Sequence, residues 1–322
     1  MLLVSGWMKY YGAWPTRIKG VSLIDGPVDG IAVVDKAPGW TSHDVVAKAR
    51  GVFATSKVGH AGTLDPDATG VLLLGVGRAT RLLRFFTALR KRYTGEVVLG
   101  SETTTLDASG EVIATYDMST VTPAQVVAVA SQFVGTIMQV PPMVSAVKVG
   151  GRRLHELARE GVVVQRRSRL VTVYALGIAR DDAGFGASVP EVYRLRVTCS
   201  SGTFVRSLAA DIGSALKGGA HLRSLRREAI GSFIVEQAKP VEAVELLSMS
   251  EAMRDYPSLS VSDAVARKVS SGQVLANEEL GVVGRGEGPW AVQSSQGDLL
   301  AMYEMYKVGW VKPAVVIPQQ RR

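Results

Sequence analysis

The sequence predicts an α+β protein followed by a small β unit, and three observations lead there. Strand-like and helix-like stretches alternate at irregular spacing, which argues against regular βαβ winding. Near residues 256–257 the character changes, and the rest of the chain is glycine-rich with short apolar runs. No period of roughly 20 to 50 residues repeats, so a solenoid or propeller is excluded.

The elements follow in order. Residues 1–28 show neither helical nor alternating period and receive no role. IAVV at 31–34 reads as a buried strand, and DKAPGWTS as a loop delivering an N-cap to a helix that starts near Ser42 or His43. A glycine-rich loop at 59–70 leads into the strand VLLLGV and then a basic amphipathic segment at 78–92. YTGEVVLG and EVIATY alternate like strands, and PAQVVAVASQFVG reads as a helix with proline in its first turn. RLVTVYALGIA and VYRLRVTCS are two further strands, and TFVRSLAADIGSALK is a helix entered from an SSG turn. AVQSS, LLAMYEMY and KPAVVI are strands of the terminal β unit.

Composition narrows the function classes. With 322 residues, 47% hydrophobic and 20% charged, the chain can bury a substantial core. Cys199 is the only cysteine, and His43, His60, His155 and His221 show no i, i+4 pair, so no metal site is expected. No run approaches the ~18 apolar residues of a membrane-spanning helix, and the expected location is the cytoplasm. The absence of heptads makes a monomer the expectation. Lys and Arg number 37 against 29 acids, a net +8 that favours an anionic partner such as nucleic acid.

That charge is concentrated. Arg78, Arg81, Arg84, Arg90, Lys91 and Arg92 stand together without an acid; residues 148–180 hold eight basic residues against Glu156 and Glu160; Lys217, Arg223, Arg226 and Arg227 form a third run. Arg78, Arg81 and Arg84 would share one side of a helix as a phosphate-tracking ridge, leaving Leu82, Leu83, Phe85 and Phe86 for the core. Such contacts supply affinity and no chemistry.

Chemistry is concentrated in GHAGTLDPDATGVLLLGVG at 59–77. Pro66 biases Asp65 toward extended backbone, and Gly59, Gly62 and Gly70 let the chain approach a ligand closely. A carboxylate presented this way can act as nucleophile or base. A calcium loop fails because Val76 stands where a glutamate is required. An aspartyl-phosphate motif lacks its preceding apolar strand, while an Asx-turn remains open for Asp65.

These residues resemble the TruB family of tRNA pseudouridine synthases of the bacterial type, which isomerise the uridine at tRNA position 55 in the TΨC loop. GHAGTLDPDATGVLLLGVGRATRL is similar to the family's catalytic segment, GIAVVDKAPGWTSHDVV to its first motif, KRYTGEVVLG to its tyrosine motif and CSSGTFVRSLAADIG to its arginine motif. GGAHLRSLRR matches a further motif. The resemblance covers about residues 29–318. It departs at Ala37, which separates Lys36 from Pro38, at Thr104 in place of an aspartate, and at Phe204 in place of a tyrosine.

The resemblance implies a catalytic domain at 29–255 with a mixed, largely antiparallel sheet and a central RNA-binding cleft, then a β-barrel-like PUA-type domain at 256–318 and a tail at 319–322. It implies Asp65 as nucleophile and Tyr93 as the ring that stacks on the base and moves a proton. His60 would assist base extrusion; Asp107 and Leu225 would line the pocket. Lys36 is expected to face a substrate phosphate or support its loop. Arg206 is the expected partner of Asp65, because a buried carboxylate stays ionised only beside a cation or hydrogen bonds. No cofactor is implied, the partner is the T-arm of tRNA, and the rival reading is a non-catalytic RNA-binding module.

Overall fold

The computed structural model describes residues 28–181 and 191–318; the expected extension lies outside them except for Val28, as does the tail. Ten strands form one mixed sheet. Its main path runs Leu246–Leu247, Gly30–Lys36, Thr69–Val76, Ala220–Ile230, Lys91–Leu99, Val192–Cys199, Arg169–Arg180 and Gly135–Gln139. Val58–His60 pairs with Thr69–Val76, and Phe233–Ile234 with Ala220–Ile230. Among the described residues all its pairs are antiparallel except the join of Arg226 and Arg227 to Thr69 and Gly70. The fold is thus α+β with a mixed, largely antiparallel sheet.

Thr69–Val76 is buried on both faces because successive side chains point to opposite sides of a strand. Val71 and Leu73 join Phe85, Phe86 and Phe233, whereas Leu72, Leu74 and Val76 meet Val45, Val46 and Ala49 of the helix Ser42–Val52. That helix starts with a capping box in which Thr41 Oγ1 accepts from the Asp44 amide at 3.1 Å and Asp44 Oδ2 accepts from the Thr41 amide at 2.8 Å. On the other half of the sheet, Val205–Ala215 sets Leu208, Ala209 and Ile212 against Val97, Leu195 and Val197.

The central strand Ala220–Ile230 is the element that the sequence pattern hides. Two irregularities of register, between Leu222 and Ser224 and between Arg227 and Ala229, break its alternation. Arg227, a member of the third basic run, is 1% exposed. Its backbone also explains one glycine: Gly70 has φ +101°, and a Cβ there would collide with the Arg227 backbone across the parallel join.

The expected phosphate-tracking ridge is corrected as well. Residues Gly77–Leu82 form a 3₁₀ helix, in which i and i+3 eclipse, before the short helix Leu83–Ala88. Arg78 and Arg81 on the first of these and Arg84 on the second all meet the C-terminal β unit. Arg78 Nε meets Asp29 Oδ2 at 2.6 Å and its Nη1 donates to the Pro318 carbonyl; Arg81 Nη1 donates to the Val316 carbonyl at 3.1 Å; Arg84 lies 3.5 Å from Glu304. The C-terminal sheet has the order Ser258–Ser260, Trp290–Gln293, Leu299–Lys307, Trp310–Val316, Leu275–Ala276. One face closes on Trp290, Leu300 and Tyr303, and Ala291, Leu299, Met302 and Ile317 join the cluster containing Phe85, Phe86 and Phe233.

Arg78→Ala should lower the unfolding free energy in urea by about 1.5–3 kcal/mol, the range for hydrogen bonds to charged groups. Arg84→Ala, which removes an exposed pair, should cost less than about 1 kcal/mol. Equal losses would refute the stabilising part of the Arg78 contacts to Asp29 and Pro318.

Candidate active site

The loop 61–68 is held from several sides. The Ala61 amide donates to the Leu73 carbonyl at 2.9 Å, and Ser42 Oγ accepts from the Leu64 amide at 2.9 Å. Pro66 offers its carbonyl to the Gly39 amide at 3.0 Å and to Lys36 Nζ at 2.7 Å. Arg227 Nη2 donates to the Gly62 carbonyl at 3.1 Å and its Nε to the Val71 carbonyl at 2.6 Å. The Asp65 turn is closed by backbone, Ala68 N to Asp65 O at 3.2 Å. Its carboxylate meets Arg206 instead of closing an Asx-turn.

Arg206 sits in the first turn of Val205–Ala215, and Gln139 fixes where that helix starts. Gln139 Oε1 accepts from the Phe204 amide at 2.8 Å while its Nε2 donates to the Phe204 carbonyl at 3.0 Å. The guanidinium, 3% exposed, then uses all three of its nitrogens. Nε meets Asp65 Oδ2 at 3.0 Å, Nη1 meets Asp107 Oδ2 at 3.1 Å and the Thr105 carbonyl at 2.9 Å, and Nη2 donates to the Val144 carbonyl at 2.8 Å. Asp107 is itself oriented by Thr105 Oγ1 at 2.6 Å and the Ser109 amide at 3.1 Å.

Burial pushes the Asp65 carboxyl above its ordinary value of 3.8; Arg206 pulls it back and Asp107 adds to the rise. Although protein surrounds it, the side chain keeps 43% of its surface open, so the carboxylate is crowded yet reachable. It lines a cavity of about 330 Å³ with Tyr93, Arg206, Leu225 and Arg227. A neighbouring cavity of about 470 Å³ shares Asp65, Arg206 and Leu225 and adds Asp107.

Tyr93 lies on Lys91–Leu99 opposite Val197 on one side and Arg227 on the other. Burial raises its phenol, opposed by the charge and hydrogen bond of Arg227, so the hydroxyl stays protonated near neutrality. Among the described residues, no group of His, Cys, Asp and Glu is arranged to hold a metal ion.

The structure thus brings Asp65, Arg206, Asp107, Tyr93 and Leu225 together. His60 is on neither cavity wall. Its ring lies edge-on to His43, 5.3 Å between centroids, with Nδ1 buried and without a hydrogen-bond partner. Burial first, then the neighbouring His43 and Arg227, lower its pKa to about 4, so the imidazole is neutral at physiological pH.

Of the two expectations for Lys36, the structure favours support of the loop over a phosphate contact. It is 1% exposed, and Nζ donates to the carbonyls of Ala37 at 3.0 Å, Trp40 at 2.6 Å and Pro66 at 2.7 Å, which uses all three of its protons. Burial lowers it to about 8. Sequence reasoning missed Gln139 altogether and counted Arg227, Lys91 and Arg169 only as members of basic runs, whereas all three line the cavity of about 330 Å³ with Asp65. Gln139 carries no sequence signal of its role.

Residues 50–205 match the family described as TruB family pseudouridylate synthase (N terminal domain). A Bacillus cytotoxicus protein named tRNA pseudouridine synthase B is 40% identical over 306 residues, covering 90% of this chain and 97% of its own. One of the same name from Thermobifida fusca is 42% identical over 299 residues, covering 89% and 98%. A chain of the crystal structure of a Cbf5-Nop10-Gar1 complex superposes with a TM-score of 0.66 at 25% identity, over 90% of this chain and 85% of that one. Relatedness of this degree along nearly the whole length, with Asp65 and Arg206 joined in one cavity, makes the chain a member of the TruB family of pseudouridine synthases.

Proposed function

We propose that this protein isomerises uridine 55 in the T loop of tRNA to pseudouridine through a covalent adduct of Asp65. The observation that carries the reading is the Asp65–Arg206 ion pair, which presents a carboxylate in a cavity walled by Tyr93 and Leu225. The tRNA substrate follows from the name of the relatives. The reaction breaks the bond between N1 and the anomeric carbon and forms one from carbon 5 to the same sugar carbon. It is redox-neutral and runs without a cofactor. Asp65 adds either to the anomeric carbon or to carbon 6 of the base, and both routes end with loss of the carbon 5 proton.

The remaining residues take roles that their surroundings support. Arg206 keeps Asp65 ionised, with Asp107 completing the guanidinium's shell. The Tyr93 ring stacks on the uracil and its neutral hydroxyl serves proton transfer. Leu225 is an apolar wall, and His60, as a neutral imidazole, assists extrusion of the base from the folded loop. Residues 29–255 act as the catalytic domain and 256–318 as a PUA-type RNA-binding domain, in a cytoplasmic monomer that grips the T-arm.

Tritium release from carbon 5 of uridine in a T-arm hairpin tests the reading. Wild type should release tritium and Asp65→Asn should not, while both bind the RNA; release by both would show that the nucleophile is another group. Arg206→Lys keeps charge but loses the fork, and misplacement of Asp65 should cost about a hundredfold in turnover. Near-wild-type turnover would reject its role.

The pH dependence has a defined sign. Turnover needs the Asp65 carboxylate, and the raised pKa means that this form appears only at higher pH than for an ordinary aspartate. The acid limb of the turnover profile should therefore lie above pH 3.8, and Arg206→Gln, which removes the opposing cation, should move it higher still. An acid limb at or below the ordinary value would contradict the crowded site.

A further inference from the structure

The cavity that holds Asp65 carries more positive charge than the carboxylate needs. Among the described residues its walls include Lys91, Arg169, Arg206 and Arg227 against Asp65 as the only acid. Arg206 already answers Asp65, while Lys91 and Arg227 are fixed by backbone carbonyls, Lys91 by Thr87 and Leu89 and Arg227 by Val71 and Gly62.

Arg169 differs from all three. Its Nε is buried without a hydrogen-bond partner, and no neighbouring charge contributes to the fall in its pKa, which comes from burial alone. The guanidinium is nevertheless positioned, with Cζ 4.6 Å from the centre of the Phe204 ring. Phe204 has no hydroxyl to compete for it. Ser201 and Gly202 line the same stretch of wall, and a Cβ on Gly202 would come within 3.9 Å of the Arg169 Cζ. A cation that is seated, partly desolvated and unpaired, at a wall shared with a reactive carboxylate, suits an anion that arrives with the substrate. Uracil is neutral, so the anion is in the backbone that carries it.

We infer that Arg169, with the turn at Ser201 and Gly202, forms a phosphate subsite that holds a phosphodiester next to the uridine seated in the cavity. The inference rests on the RNA-isomerase reading above and adds to it the contact that sets the depth of the nucleotide. Arg169 is a binding residue and takes no part in bond making.

The experiment compares wild type, Arg169→Gln and Arg169→Lys on a T-arm hairpin, with binding measured across a salt series and tritium release followed separately. Arg169→Gln should weaken binding about tenfold, the effect of losing one hydrogen bond to a charged group. The slope of log affinity against log salt should become shallower by about 1, and Arg169→Lys should restore the slope but only part of the affinity. Hairpins with a neutral methylphosphonate on the 5′ or the 3′ side of the target uridine then locate the contact. Wild type should weaken about tenfold with one of them, and Arg169→Gln should show no further loss with that RNA.

An unchanged salt slope, or equal sensitivity of wild type and Arg169→Gln to both methylphosphonates, overturns the subsite. If Arg169→Gln does not fold, wild type alone decides, because indifference to both neutral linkages also overturns it. Loss of tritium release from wild type with these binding effects intact would refute the isomerase reading and leave the phosphate contact standing.

Discussion

The burial of one guanidinium organises this molecule around its site. Arg206 is 3% exposed, and a cation so far from water is tolerable only if its donors are answered. The answers come from Asp65 in the loop 61–68, Thr105 and Asp107 in a second loop, and Val144 in a third. Three segments distant in sequence must therefore converge on the first turn of one helix, and Gln139 fixes that turn through both polar groups of the Phe204 backbone. Removing one partner from such a shell costs about 3–5 kcal/mol, so the pair is better read as specifying geometry than as adding stability.

The same pair sets the chemistry of Asp65. Burial outweighs the attraction of Arg206, so the carboxyl is a stronger base than an ordinary aspartate yet has a cation against one of its oxygens. The covalent role proposed for Asp65, in which it first attacks and then leaves, would draw on that compromise. A higher pKa strengthens attack, and a bound cation stabilises the carboxylate as it departs. Arg227 plays the corresponding structural part in the same cavity, where it ties the loop carbonyl of Gly62, the strand carbonyl of Val71 and the Tyr93 hydroxyl to the central strand.

Local pattern was enough to read Thr69–Val76, the helix Ser42–Val52 and its N-cap, and the helix Val205–Ala215, because each has its period intact. The grouping of Asp65 with Arg206 came from the family resemblance, since the two lie far apart in sequence and nothing in their spacing brings them together. Ala220–Ile230 was illegible as a strand because two shifts of register interrupt its alternation and its arginines look like surface charge. Arg78, Arg81 and Arg84 were read as one α-helical ridge, but Arg78 and Arg81 lie on a 3₁₀ turn and Arg84 on the short helix after it, and all three meet the C-terminal β unit. The sequence left Lys36 open between support and phosphate contact for a related reason: a lysine in a loop is normally solvated, and only the fold shows three carbonyls around it.

These corrections change how the net charge of +8 should act on RNA. Cations that meet phosphates release counterions and set the salt dependence of binding. Lys36, Lys91, Arg206 and Arg227 are buried among carbonyls and carboxylates, and Arg226 is paired with Asp35 at 2.8 Å, so none of them is a simple surface phosphate contact. Their charge still acts at a distance. Held within low-dielectric walls beside the cavity, it is screened less by salt than charge on the surface, and it raises the potential where a nucleotide would sit. Affinity from surface contacts and attraction into the cleft are thus separate quantities in this protein, and only the first scales with the number of exposed lysines and arginines.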